Sequence, residues 1–323
     1  MTLQQPCDKI DEKRLRIETS ADFMRFCMIS VKEHAYAKVN LYLDVINKRE
    51  DNFHDIKTVM HTVSLSDDIT VTVKKSAQTA VRLSVLGHPK LPTDSRNLAV
   101  RAAELFLNTT LISAEVDIRL VKRIPVAAGM AGGSSDAAAV LRAMNKAFKR
   151  PLTEKRLLEL AAELGSDVPY CLIGGTALCY GRGERMDRLP EQLSLKLVLA
   201  IADEYVSTPA AYAELDAIYG DFKGVRDTSH ETALSSVLES AHSGEVESIK
   251  LYNIFENAVF KTCFKAESIK RKMLELGAIH SLMSGSGPSV FGIFVDETTA
   301  KAAVDELKKE GVRAYYAESV TRN

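Results

Sequence analysis

An α+β fold is predicted for this chain, and three features of the sequence predict it. Strand-like alternation dominates the early part, helix-like periodicity follows, and a glycine-rich run over residues 125–136 sits between a strand pattern and a helix pattern. Strands gathered first and helices later argue for segregated elements rather than a regular βαβ alternation. With 323 residues the chain is long enough for two domains of ordinary size. They are expected over residues 29–192 and 193–323.

Residues 1–28 are polar and charged, with Asp8, Lys9, Asp11, Glu12, Lys13, Arg14 and Arg16, and they lack the apolar core of a signal peptide. They read as a disorder-prone extension to the fold. Residues 29–47 alternate and are rich in Val, Ile, Leu and Tyr, which predicts strands, as do residues 58–73 and 81–86. A helix is expected over 97–109, where Leu98, Ala99, Ala102, Ala103, Leu105 and Phe106 recur at helical spacing. Residues 116–122 alternate again and lead into the glycine run. The helix after it ends near Arg150-Pro151, because proline stops it. A second helix is predicted over 153–164 with Thr153 as N-cap. Beyond it come strands at 174–180 and 195–201, a turn at Gly181-Arg182-Gly183, and a largely helical stretch over 256–276. Strands at 281–283 and 290–295, a helix at 298–309 and a strand at 313–318 complete the pattern.

The run Pro125-Val126-Ala127-Ala128-Gly129-Met130-Ala131-Gly132-Gly133-Ser134-Ser135-Asp136 carries the most chemistry. Glycines lack Cβ, so the backbone can curl around a ligand. Ser134, Ser135 and Asp136 are good helix-start residues, and a helix N-terminus presents unpaired N–H groups and partial positive charge that favour a phosphate. No Gly-Lys-Ser/Thr closes the run, so it is not a Walker A loop, and the glycine spacing is not the dinucleotide fingerprint. By itself the pattern suits a phosphate cradle and a tightly packed loop before a core helix about equally.

Composition narrows the class. Hydrophobic residues make up 46% and charged residues 26%, as in soluble globular proteins. The formal net charge is −1, with no long basic block, which argues against nucleic acid as a partner. No apolar stretch is long enough to span a bilayer, so no membrane partner is expected. The five cysteines, Cys7, Cys27, Cys171, Cys179 and Cys263, lack Cys-x-x-Cys spacing, which suggests reduced thiols and a cytoplasmic protein. The histidines form no metal-ligand pattern. Monomer and homodimer both stay open.

The glycine run resembles the central loop of the GHMP kinase superfamily, small-molecule kinases named for galactose, homoserine, mevalonate and phosphomevalonate. Its usual form is Pro-x-x-x-Gly-Leu-Gly/Ala-Gly-Gly-Ser-Ser. Met130 replaces Leu, and Ala131 fills a Gly/Ala position. The resemblance extends to Ala37-Lys38-Val39-Asn40-Leu41, to Leu164-Gly165-Ser166-Asp167-Val168-Pro169, and to Met283-Ser284-Gly285-Ser286-Gly287-Pro288. Each segment alone has a plainer reading, as a solvated lysine, a cap aspartate or a glycine turn. In this order, from Lys38 to Ser289, they cover most of the chain.

The resemblance implies a two-domain GHMP kinase fold, with an N-terminal ATP domain like the second domain of ribosomal protein S5 and a C-terminal ferredoxin-like domain. It implies ATP and Mg²⁺ as cofactors, with no protein metal ligands assigned. The nucleotide would be held by residues 125–135 (Pro125, Val126, Ala127, Ala128, Gly129, Met130, Ala131, Gly132, Gly133, Ser134, Ser135) and by Asn97, Leu98 and Lys122. Lys38 and Asp167 would be catalytic. Asn52-Phe53-His54-Asp55 and Asn97-Leu98-Ala99-Val100-Arg101-Ala102-Ala103 resemble a branch whose acceptor is a cytidine-diphosphate-linked sugar alcohol of isoprenoid precursor synthesis. In that branch an aromatic–His pair holds cytosine, as a stacking face and a hydrogen-bonding edge. Phe53 stands where Tyr is usual, and Asn52 replaces Gly, being tolerant of left-handed backbone. Asn40, Phe53, His54, Thr208 and Tyr212 are the substrate candidates.

The implied reaction passes the γ-phosphoryl of ATP to a hydroxyl. An aspartate side chain and an alcohol differ by about 12 pKa units, so proton transfer before bond formation would cost roughly 16 kcal/mol. The aspartate would therefore orient the hydroxyl and take its proton late, which a loose transition state permits. Rival readings are another kinase of the superfamily, such as a homoserine or mevalonate kinase, a non-catalytic nucleotide sensor, and a nucleic-acid binder. Retention of Lys38 and Asp167 argues against the second and near-neutral charge against the third.

Overall fold

The computed structural model describes residues 28–190, 192–220, 222 and 229–321, so the expected extension over 1–27 lies outside the described residues. Two long strands organise the first part. β1 (Ile29–Lys48) and β2 (His54–Lys75) pair antiparallel with register shifts at Tyr36/Lys38, Asn40/Tyr42 and Val45/Asn47. The turn between them is made by Asn52 at φ 63°, a left-handed conformation that Asn tolerates. β2 is long enough to pair with β4 (Ala114–Val121) at one end and β5 (Thr176–Gly181) at the other. With β3 (Ala80–Leu86), β6 (Arg185–Arg188) and the two-residue β8 (Tyr252–Asn253) this gives a seven-stranded mixed sheet.

The second sheet is antiparallel, in the order β11 (Arg313–Glu318), β7 (Lys196–Ile201), β10 (Ser289–Phe294), β9 (His280–Met283). Helices intervene between β7 and β9 and between β10 and β11, which is the split βαβ arrangement of ferredoxin-like folds.

Alternation along these strands builds the layers. Ile69, Val71, Val116, Ile118 and Leu120 pack under α1 (Leu98–Thr110), α2 (Gly132–Ala147) and α3 (Glu154–Leu164). Val39, Leu41, Val59 and Val63 on the opposite face meet Leu197, Leu199, Phe291 and Ile293 of the second sheet. The far face of that sheet, with Val198, Ala200 and Val290, is covered by Met273 of α8 (Phe264–Glu275) and by Ala300, Val304 and Leu307 of α9 (Glu297–Lys309). The seam between the sheets is stitched by polar groups. The buried His61 ring bonds Thr176 Oγ1 at 2.8 Å and Ser319 Oγ at 2.7 Å, and Val320 N donates to Thr62 O.

Most predicted elements fall within a few residues of the observed ones, and Thr153 does cap α3. Four differences have physical reasons. α2 begins at Gly132 and ends at Ala147, earlier than Arg150-Pro151, because Lys149 and Arg150 take left-handed backbone and Asn145 exchanges side-chain bonds with Leu152. The helical stretch over 256–276 is two helices, α7 (Glu256–Val259) and α8, with a break at Phe260–Cys263. The segment after Asp167 is a short helix, α4 (Val168–Ile173), started by Pro169 in its first turn. The fourth is α5 (Thr208–Tyr219), capped by Ser207 and opened by Pro209, a start signal present in the sequence. α6 (Ser229–Ser243) completes the helices.

Candidate active site

The glycine run bridges β4 and α2 and closes on the second sheet's own glycine turn. Gly129 has φ 72°, and a Cβ built there would lie 2.2 Å from Ser284 O, so no other residue fits. Ala127 and Ala131 are also left-handed, at φ 54° and 57°. Such strain persists only where neighbours hold it. Ser284 Oγ donates to Gly129 O at 3.2 Å, and Ser289 Oγ donates to Ala128 O. The sequence places these two motifs 155 residues apart; the structure makes them one surface.

α2 starts without a side-chain cap, at a left-handed Ala131. Its first N–H groups are therefore open to a ligand, the condition for anion binding at a helix start. They face a cavity of about 410 Å³ lined by Pro125–Gly129, Ala131–Ser134, Asn97, Leu98, Lys122 and Asp136. Two residues expected at the nucleotide are not among its lining. Met130 is a core side chain, 1% exposed, whose carbonyl accepts from Lys38 N. Ser135 is buried and donates its hydroxyl to Tyr36 O at 2.7 Å. The residue types expected to start the helix thus do other work, because the glycines already take the tight turn. Asn97 caps α1, accepting from Ala99 N and donating to Pro92 O, so it shapes the cavity wall with its amide engaged. The Lys122 ammonium is held by Asp67 and Asp136 rather than pointing free.

Behind the loop lies Lys38, 4% exposed on β1. It donates to Asn40 Oδ1 at 2.7 Å and to Gly129 O at 2.8 Å. Burial pushes its ammonium below the usual lysine value, and the negative charge of Asp167 opposes that. Asp167 starts α4 but makes no side-chain cap bond, so its carboxylate is not engaged in capping. Asn40, a substrate candidate, is 2% exposed and is bonded within the protein. Its Oδ1 also accepts from Gly285 N at 2.9 Å, and its Nδ2 donates to Thr58 Oγ1 at 2.8 Å. Burial raises the nearby thiols, Cys179 to about 12, so neither it nor Cys171 offers a thiolate nucleophile.

At the other end of β1, Phe53 is 54% exposed, which excludes a core role, and the Arg182 guanidinium sits 5.0 Å from its ring centroid. His54 beside it is buried. Its Nε2 bonds Asp216 Oδ1 at 2.7 Å, and its ring stacks on Tyr212 at 4.5 Å. Thr208 Oγ1 shares a 2.7 Å hydrogen bond with Ser286 Oγ. The structure thus stacks His54 on Tyr212 and ties Thr208, at the start of the same helix, to the glycine turn at Ser286, while Phe53, next to His54 in the chain, stays exposed. Sequence reasoning missed Asp67, Asp216 and Asn253, and read Asp136 only as a helix-start residue. Asn253 donates to Met283 O and Gly285 O from a two-residue strand with no sequence signature of its own.

Residues 97–175 match the model of the GHMP kinases N terminal domain, and residues 223–313 match the GHMP kinases C terminal model. Two relatives, from Clostridium beijerinckii and Gloeobacter violaceus, are both named 4-diphosphocytidyl-2-C-methyl-D-erythritol kinase. The first is 39% identical over 87% of this chain and 96% of its own, the second 41% over 88% and 92%. A crystal structure of 4-(cytidine 5'-diphospho)-2C-methyl-D-erythritol kinase superposes with TM-score 0.74 at 31% identity, covering 90% of this chain and 100% of that one. The chain belongs to the GHMP kinase family, ATP-dependent phosphotransferases of small molecules, and within it to the group these relatives define. Among the described residues no helix is long and apolar enough to cross a membrane.

Proposed function

We propose that this kinase phosphorylates the 2-hydroxyl of 4-diphosphocytidyl-2-C-methyl-D-erythritol with ATP, giving the 2-phosphate and ADP, a step of the non-mevalonate route to isoprenoid precursors. The name carried by relatives near 40% identity supports this acceptor over homoserine or mevalonate. The observation that carries the mechanism is the Lys38–Gly129 bond. A buried ammonium is fixed to the carbonyl of the phosphate loop while lying in the field of Asp167.

In this reading the open N–H groups of Gly132–Ser134 hold the phosphates, and Asn97 and Leu98 wall the adenine. Lys38 stabilises charge between the transferring group and the attacking oxygen. Asp167 orients the hydroxyl and accepts its proton as the P–O bond forms, because little more is asked of a base in a loose transition state. The exposed face of Phe53 stacks on cytosine, with Tyr212 and Thr208 closing over it. His54 Nε2 is already engaged by Asp216, so its backbone and remaining ring edge face the base.

Mg²⁺ bound with ATP supplies neutralisation of the phosphate oxygens. Among the described residues no group of three His, Cys, Asp or Glu side chains converges as a metal site. Magnesium keeps several waters and needs few protein ligands. Ser134 is the loop hydroxyl lining the cavity, and it fits as the protein's contribution. Unpaired thiols at Cys171, Cys179 and Cys263 support a reducing, cytoplasmic setting.

The test is ADP release from Mg-ATP with this acceptor and, separately, with homoserine. Turnover with the first that falls at least a hundredfold in Asp167→Ala, with CMP and nucleotide still bound, is the expected result. Turnover with homoserine alone would refute the acceptor, and an Asp167→Ala enzyme within a few-fold of wild type would refute the role of Asp167.

A further inference from the structure

We infer that Asp216 is a positioning residue for His54: with Lys48 behind it, it fixes which ring nitrogen of His54 carries the hydrogen, and so makes the proposed acceptor pocket accept the 4-amino group of cytosine and reject the 4-oxo group of uracil. The inference rests on the reading that His54 faces the base of the acceptor.

Three elements bring these side chains together. His54 opens β2, and Lys48, which ends β1, lies opposite it in the antiparallel register, so both project from one face. α5 meets both of them. Tyr212 and Asp216 are one helical turn apart on it and share a face. Tyr212 supplies the surface on which the His54 ring stacks, with centroids 4.5 Å apart and planes 20° apart, while Asp216 Oδ1 meets His54 Nε2 at 2.7 Å. Phe222 stands edge-on to the same ring at 5.8 Å and 82°. The imidazole is thus held by a face, an edge and one nitrogen.

Valence then decides where the hydrogen sits. Asp216 is bonded at both oxygens, Oδ1 to His54 and Oδ2 to Lys48 Nζ at 2.7 Å. Burial would raise this carboxyl, but the hydrogen bonds of Lys48 and His54 hold it below the usual carboxylate range. A carboxylate only accepts, so His54 Nε2 is the N–H donor. In a neutral imidazole the other nitrogen is then a bare acceptor. Among the described residues the buried side-chain polar atoms without a partner are Asn47 Oδ1, His88 Nδ1 and Asp136 Oδ1. His54 Nδ1 is not one of them and makes no hydrogen bond to a described residue, so it is open to a ligand. Cytosine offers an N–H donor at C4, where uracil offers an oxygen acceptor. The first completes a bond at Nδ1; the second sets two acceptors face to face.

Lys48 makes the consequence of a single substitution determinate. An ammonium only donates, so in Asp216→Asn it keeps the amide oxygen on its own side and turns the amide N–H₂ toward His54. Nε2 must then accept, the ring hydrogen sits on Nδ1 instead, and Nδ1 becomes a donor suited to uracil.

The experiment is calorimetric titration of CMP and of UMP into the full-length protein at pH 8.5, where free imidazole is neutral, for wild type, Asp216→Asn and Asp216→Ala. The ratio of the two dissociation constants, UMP over CMP, cancels any general loosening of the pocket. Wild type is expected to favour CMP at least about tenfold, the scale of one hydrogen bond exchanged for two facing acceptors. In Asp216→Asn the ratio should fall at least about tenfold, to parity or below, and Asp216→Ala, which leaves the ring free to choose, should lie between. Nitrogen NMR of the His54 ring, assigned with His54→Gln, should show the hydrogen on Nε2 in wild type and on Nδ1 in Asp216→Asn with no ligand present. A smaller fall in the ratio, with both nucleotides weakened alike, is what a merely structural role gives and would overturn the inference, as would a hydrogen that stays on Nε2. Equal binding of CMP and UMP by wild type would overturn it too. No CMP binding by the folded wild-type protein would instead overturn the acceptor reading beneath it.

Discussion

The glycine-loop region and the Phe53 region, proposed to hold nucleotide and acceptor, are built from different materials. Around Gly129 and Gly132 the surface is backbone, brought within contact distance of Ser284 and Lys122 because no Cβ intervenes. Around Phe53 it is side chains, supplied by β1, β2, α5 and the β5–β6 turn and arranged by ring contacts such as His54 on Tyr212. Backbone surfaces accept one shape and suit the invariant part of a reaction, the phosphates. Side-chain surfaces can be exchanged without disturbing the fold, and they suit the part that differs between members of a family.

The two regions should therefore break in different ways. The largest effect is expected from Gly129→Ala. A Cβ 2.2 Å from Ser284 O, at a left-handed φ, forces the two motifs apart, and the combined clash and strain should cost about 3 kcal/mol or more of stability and abolish nucleotide binding. Thermal unfolding with nucleotide titration checks both. Next is the seam between the two sheets. Burial lowers His61 to about 4, so the unfolded chain takes up a proton near pH 6.5 that the folded one refuses. Stability is full above pH 6.5 and declines toward pH 4 by roughly 3 kcal/mol. Urea midpoints across that window should decline in wild type and flatten in His61→Gln.

At the proposed acceptor site Phe53→Ala should raise KM for the acceptor about tenfold, in line with base–aromatic stacking of roughly 1–3 kcal/mol. It should move Tm little, since the ring is mostly exposed. A loss of stability comparable to Gly129→Ala would erase the distinction between the regions. The smallest effect is at Leu111, a left-handed, 90% exposed C-cap of α1. Leu111→Gly should stabilise by about 0.5–1 kcal/mol, read as a higher denaturant midpoint, with activity unchanged.

The same contrast explains what was legible beforehand. Gly129, Gly132 and Gly285 could be read because close backbone approach leaves a mark in sequence, as missing side chains at fixed spacing. Strand alternation and the Thr153 cap were legible for the same local reason. Asp67 and Asp216 left no mark. An aspartate in an alternating strand or on a helix reads as solvent-facing until the partner arrives, here Lys122 from 55 residues away and His54 from 162. Asn40 and Ser135 were marked as functional by their neighbours, yet the structure gives their polar atoms to the protein itself. Local rules cannot tell a strut from a contact when both sit beside the same ligand. α5 escaped because its apolar face is weak, although Ser207 and Pro209 announce its start.

The hydrogen bond from His61 to Ser319 spans 258 positions of sequence, and that separation has a meaning on the ribosome. At roughly 5–20 residues per second, His61 on β2 is synthesised about 13–50 s before the residue that completes its seam. For that interval Val59 and Val63 have no second sheet to cover them. For a nascent chain that interval is exposure of apolar surface, the general condition under which chaperones are engaged.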